Sequence, residues 1–131
     1  MRKLAICVAA LLPLLLSGCG RDSLESLRKQ QLLTVKEAND LLETIKDKAS
    51  ADKAKPRLKE LGDRWRDLDK RVGDLPPIPT EEEARVQKKY DDELHGAKMR
   101  YFRESIRVSL VPGGAEVLKE VGEVVDLKKK K

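Results

Sequence analysis

The chain has 131 residues, of which 39% are charged and 3% aromatic, with a formal net charge of +5. Such a composition belongs to long amphipathic helices and speaks against a β-sheet or an aromatic-lined catalytic cleft. The charge is local: without Arg2, Lys3 and the four C-terminal lysines, 22 basic residues stand against 23 acidic ones. The body is thus nearly neutral, and no nucleic-acid partner is expected.

Met1, Arg2 and Lys3 precede an apolar run over residues 4–16, which ends in Leu16, Ser17, Gly18 and Cys19. A positive start, an apolar stretch of about 7–15 residues and small residues before a cleavage point make a secretory signal, too short to span a membrane. This ending resembles a bacterial lipobox, a resemblance confined to residues 1–19. It implies that Leu16 seats in an apolar pocket of the dedicated signal peptidase while Ser17 and Gly18 let the backbone enter its cleft. Cleavage then falls between Gly18 and Cys19, the Cys19 thiol carries diacylglycerol, and the freed amine is acylated. Two or three acyl chains, at about 0.8 kcal/mol per buried CH₂, anchor a protein essentially for good. Membrane lipid is therefore the expected partner, through acylated Cys19. An ordinary cleaved signal with an incidental cysteine is the alternative. In Gram-negative lipoproteins an Asp after the cysteine favours the inner membrane; Gly20 at that position points to the outer membrane, facing the periplasm.

Cleavage before Cys19 leaves 113 residues, enough for one small domain. Cys7 departs with the signal and Cys19 is lipidated, so no disulfide is expected. Residues 1–18 are read as the signal, 19–23 as lipidated terminus and spacer, 24–127 as a helical domain and 128–131 as a lysine tail.

Leu24, Leu27, Val35, Ala38, Leu42, Ile45 and Ala49 form one apolar stripe, interrupted by Gln31, and predict a helix over about 24–48 with Ser23 as N-cap. Ala51, Ala54, Leu58, Leu61, Trp65, Leu68, Val72 and Leu75 follow at alternating intervals of three and four, out of phase with the first stripe. A break near 47–50, with Ser50 as cap, accounts for the phase change and gives a second helix over about 51–74. One continuous helix is the competing reading. Pro56 falls inside the second helix and forfeits a hydrogen bond there.

Pro76, Pro77 and Pro79 stop that helix, and Thr80, Glu81, Glu82 and Glu83 read as a capping box opening a third over about 81–110. Its stripe is Val86, Tyr90, Leu94, Ala97, Tyr101 and Val108. A second row, Met99, Phe102, Ile106 and Leu110, asks for another cover. Pro112, Gly113 and Gly114 end the helix, and a short fourth over about 115–127 is expected to supply that cover. The expected fold is an all-α, small antiparallel bundle of three long helices with a short C-terminal one. The stretch 44–58 also resembles small exported bacterial proteins that carry no assigned chemistry, and this implies only a helix-turn-helix.

Candidate chemistry is sparse. His95 is the sole histidine and lacks His or Cys neighbours at ligand spacing, so no metal site is expected. Ser105 and Ser109 lack a credible base, glycine-rich phosphate loops are absent, and no enzyme, cofactor or small-molecule substrate is expected. Glu81, Glu82, Glu83, Asp91, Asp92 and Glu93 read as dipole complement and solvated face. Arg100, Arg103 and Arg107 line the third helix as a basic strip, a candidate surface contact tempered by Glu104. The other candidate is the tail, Lys128, Lys129, Lys130 and Lys131. A terminal lysine on a small helical lipoprotein resembles the murein lipoprotein, which implies covalent attachment to peptidoglycan. That family, however, is a single long trimerising helix. The expectation is a lipid-anchored, non-catalytic envelope protein acting structurally or by binding an envelope protein, with a tether between cell wall and membrane as the alternative.

Overall fold

The computed structural model describes residues 22–121, and among these there are four helices and no strand. The expected signal over residues 1–18, Cys19, residues 122–127 of the expected fourth helix and Lys128 to Lys131 lie outside the described residues. Helix α1 (Leu24–Glu43) starts where Ser23 caps it, its Oγ accepting from the Ser26 backbone N–H at 3.1 Å. Leu27, Val35, Ala38 and Leu42 are fully buried along its stripe. Gln31, the interruption in that stripe, is buried with them and accepts from Arg28 Nη1 at 3.0 Å.

The break after α1 is a true turn. Helix α2 (Lys48–Gly73) opens three residues before the expected 51, with Asp47 and not Ser50 as its N-cap. The two share one reciprocal box: Asp47 Oδ1 accepts from the Ser50 N–H at 2.8 Å, and Ser50 Oγ accepts from the Asp47 N–H at 3.0 Å. A carboxylate at the positive end of the helix satisfies the free N–H groups more strongly than a hydroxyl, which moves the start upstream. Ile45 stays buried from the turn, whereas Ala49 is exposed and leaves the apolar stripe. Ala51, Ala54, Leu58, Leu61, Trp65 and Leu68 are buried, and Pro56 sits on the exposed face.

Helix α3 (Thr80–Ser109) corrects the expected capping box: Pro79 is the N-cap, without a side-chain bond, and Thr80 is already helical. Pro79, at φ −53° and ψ 133°, stays outside the helix as its cap and Thr80 takes the first helical position, so the Thr80 hydroxyl leaves the capping position. All six residues of the expected α3 stripe are buried. Gly113, at φ +78°, makes the left-handed turn that sends the chain into α4 (Gly114–Val121).

Successive helices alternate in direction, but the direct neighbours are not simply the successive ones. Helix α1 packs on both α2 and α3, and α4 packs on both of these as well; the α2 and α3 backbones do not pack directly on each other. Arg71 binds Asp22 and Arg57 binds Glu37, which sets α2 antiparallel to α1. Lys89 on Glu25, Glu93 on Lys36 and Arg100 on Glu43 set α3 parallel to it. The proline-stiffened linker over 74–79 carries the chain from the end of α2 to the start of α3. Asn39 fixes this pair from inside, its buried Nδ2 donating to the Ala97 carbonyl at 3.0 Å.

Candidate interaction surface

The three arginines of the sequence strip do different things. Arg107 turns inward to the end of α1, where Nη2 donates to the Leu42 carbonyl at 2.7 Å and Nη1 to the Ile45 carbonyl at 2.8 Å. Its Nε donates to Glu104 at 2.8 Å. Arg107 thus adds a charged donor at the helix end, to the Ile45 carbonyl and to a Leu42 carbonyl that also accepts from the Ile45 N–H at 3.0 Å, and its charge suits the negative end of the α1 dipole. Arg100 bridges to Glu43 and, at 3.6 Å, to Asp40; the Glu43 hydrogen bond raises its pKa above the usual value. Only Arg103 points out with no ion-pair partner among the described residues.

The carboxylates that face α2 and α3 are similarly committed. Asp22 is held below its ordinary pKa by the hydrogen bond from Arg71, and Glu25 by those from Lys89 and Arg85. Asp47 is lowered by the backbone N–H of Ser50. The Asp22 and Glu25 pairs join helices, and Asp47 caps α2. His95 lines an open groove with Asp91, Asp92, Leu94 and Lys98. Among the described residues no group of three or more His, Cys, Asp or Glu is placed to hold a metal ion.

What stands out is the second row of α3. Met99, Phe102, Ile106 and Leu110 are 46%, 46%, 51% and 82% exposed. The described part of the fourth helix, Gly114–Val121, does not supply the expected cover. It docks on the inner flank, where Val117 is buried, because Gly114 lets its start come directly under the Val108 carbonyl. The row therefore lies on the face of α3 opposite its core stripe, with Arg103 among its members. An apolar strip of this length at helical spacing is unusual on a small protein's surface.

Comparison with family models, curated proteins and solved structures finds no match to this chain. The surface must be read from its own chemistry. Sequence reasoning identified the row but assigned it an internal cover, and it identified the arginine strip but could not separate Arg103 from its two committed neighbours. No helix among the described residues is long and apolar enough to cross a membrane.

Proposed function

We propose that this chain is a lipid-anchored protein of the bacterial cell envelope with a non-catalytic, structural or interaction role. The observation that carries the reading is the Leu16, Ser17, Gly18, Cys19 ending placed directly before the folded body. Only two residues separate Cys19 from Asp22, whose carboxylate Arg71 already grips with a 2.8 Å hydrogen bond from Nε. Three residue steps reach at most about 11 Å, so an acylated Cys19 holds the bundle against the bilayer with almost no stalk. Gly20 supports the outer membrane in a Gram-negative host. The role lies in the surface because the polar side chains nearest the helix interfaces are spent on pairing helices, while the apolar row of α3 faces outward.

Intact mass and detergent partitioning of the wild type beside Cys19→Ser test this reading. The expected mass is that of residues 19–131 plus acyl groups, lost in the variant together with detergent-phase partitioning. A wild type that is unacylated and stays in the aqueous phase overturns it.

A further inference from the structure

The row Met99, Phe102, Ile106 and Leu110 repeats at three- and four-residue intervals along the last three turns of α3 and onto its C-cap residue, Leu110. The charges around it are one-sided. Between His95 and Leu110 the only acid on α3 is Glu104, whose side chain is 18% exposed and bound to Arg107. Arg103 stands in the row's margin without an ion-pair partner, and Lys98 flanks the other side, over the Trp65 ring at 5.4 Å. Carboxylates with no ion-pair partner among the described residues are confined on α3 to its first half, at Glu81, Glu82, Glu83, Asp91 and Asp92.

From this arrangement we infer that the outer face of the second half of α3 is an interfacial membrane contact, seating on a lipid surface that carries anionic headgroups. A helix with an apolar face and a basic margin lies in the plane of the interface, its apolar side chains among the upper acyl segments and its cations at the headgroups. A second copy of the chain fits less well. Antiparallel pairing of row on row brings the two Arg103 side chains onto the same flank, with no free carboxylate on either strip to relieve them. Sliding the copies until Arg103 meets Asp92 sets Phe102 and Ile106 against the charged first half of the helix, around Lys88 and Asp91.

The geometry also fixes an orientation. The row sits at the Ile45 and Arg107 end of the bundle, whereas Asp22 enters at the opposite end, about 30 Å away along α1. An upright bundle would hold the row far from the bilayer. A bundle lying flat brings both to it, since α1 and α3 run parallel. This inference deepens the envelope reading, and its test removes the acyl anchor so that the two stand or fall separately.

Among the described residues every buried apolar side chain lies between Leu24 and Val117, so the Cys19→Ser chain from residue 19 onward carries that core. It is sedimented with vesicles of phosphatidylglycerol or of phosphatidylcholine. Co-sedimentation with the anionic vesicles is expected, weakened about tenfold or more by Phe102→Ser with Ile106→Ser and severalfold by Arg103→Glu. These positions are exposed, so the helical circular dichroism should not change. Absence of binding to anionic vesicles overturns the inference. So does binding that survives the row substitutions but is lost on deleting residues 128–131, which assigns it to the lysine tail. A dimer in sedimentation velocity that the same substitutions dissolve, without vesicle binding, gives the face to a second copy and likewise overturns it.

Discussion

Arg107 closes the C-terminal end of α1 from 65 residues away, its Nη2 donating to the Leu42 carbonyl at 2.7 Å while Nη1 reaches Ile45 at 2.8 Å. The contact ties the last turn of α3 to the turn between α1 and α2 and sets how the top of the bundle is held. It also gives one of three superficially similar arginines a structural duty.

Substitution separates those duties. Arg107→Ala removes a charged donor from two carbonyls and should cost about 1–3 kcal/mol in urea unfolding. Arg103→Ala, which breaks no ion pair among the described residues, should stay within about 0.5 kcal/mol of the wild type. Arg100→Ala falls between, near the value of an exposed ion pair, at most about 1 kcal/mol. Equal losses for Arg103→Ala and Arg107→Ala would contradict the capping role.

Two glycines test the docking of α4. A Cβ on Gly114 would stand 1.9 Å from the Val108 carbonyl oxygen and 2.9 Å from its carbon, both backbone atoms that cannot turn aside. Gly114→Ala should push α4 off the bundle and cost about 1–3 kcal/mol, with faster amide exchange at Val117 and Leu118. At Gly96, exposed in the middle of α3, a Cβ meets nothing within 4 Å. Gly96→Ala should therefore stabilise the protein by about 1 kcal/mol. The two substitutions moving stability in the same direction would refute this account of the close approach.

Acid should loosen the bundle in a definite window. Asp22, Glu25 and Asp47 all have folded pKa values below the ordinary 3.8, 4.5 and 3.8, so the unfolded chain binds more protons as pH falls. Their stabilisation is complete above those ordinary values and is lost as pH falls through the depressed folded ones. The urea midpoint should hold steady between about pH 7 and 5.5 and decline below about pH 4.5. Asp22→Asn and Glu25→Gln should each make that decline shallower. A wild-type midpoint unchanged down to pH 3 would show that these pairs contribute nothing.

Much of the architecture was legible because helices are local. The α2 and α3 stripes needed only the 3.6-residue period, and Ala51, Leu58, Leu61, Val86, Leu94 and Val108 are buried as their spacing required. Prolines at 76, 77 and 79 and glycines at 113 and 114 marked chain reversals for the same reason, since they act on the backbone at their own positions. Cap identity was harder. Asp47 and Ser50 can each satisfy a helix start, and the choice between them rests on competition over three residues that pattern alone does not weigh.

The sequence by itself therefore determined that this chain makes helices, where they turn, and which face of each is apolar. Only the tertiary structure decided that α1 packs directly on both α2 and α3, that α4 bridges these two, and that its described residues leave Met99, Phe102, Ile106 and Leu110 open. Only it took Arg100 and Arg107 out of the basic strip and left Arg103 in it. The reason is physical: an apolar stripe states that a face will be buried without naming its partner. The polar bonds that choose the partner join residues such as Lys36 and Glu93, 57 positions apart, whose meeting no local periodicity encodes.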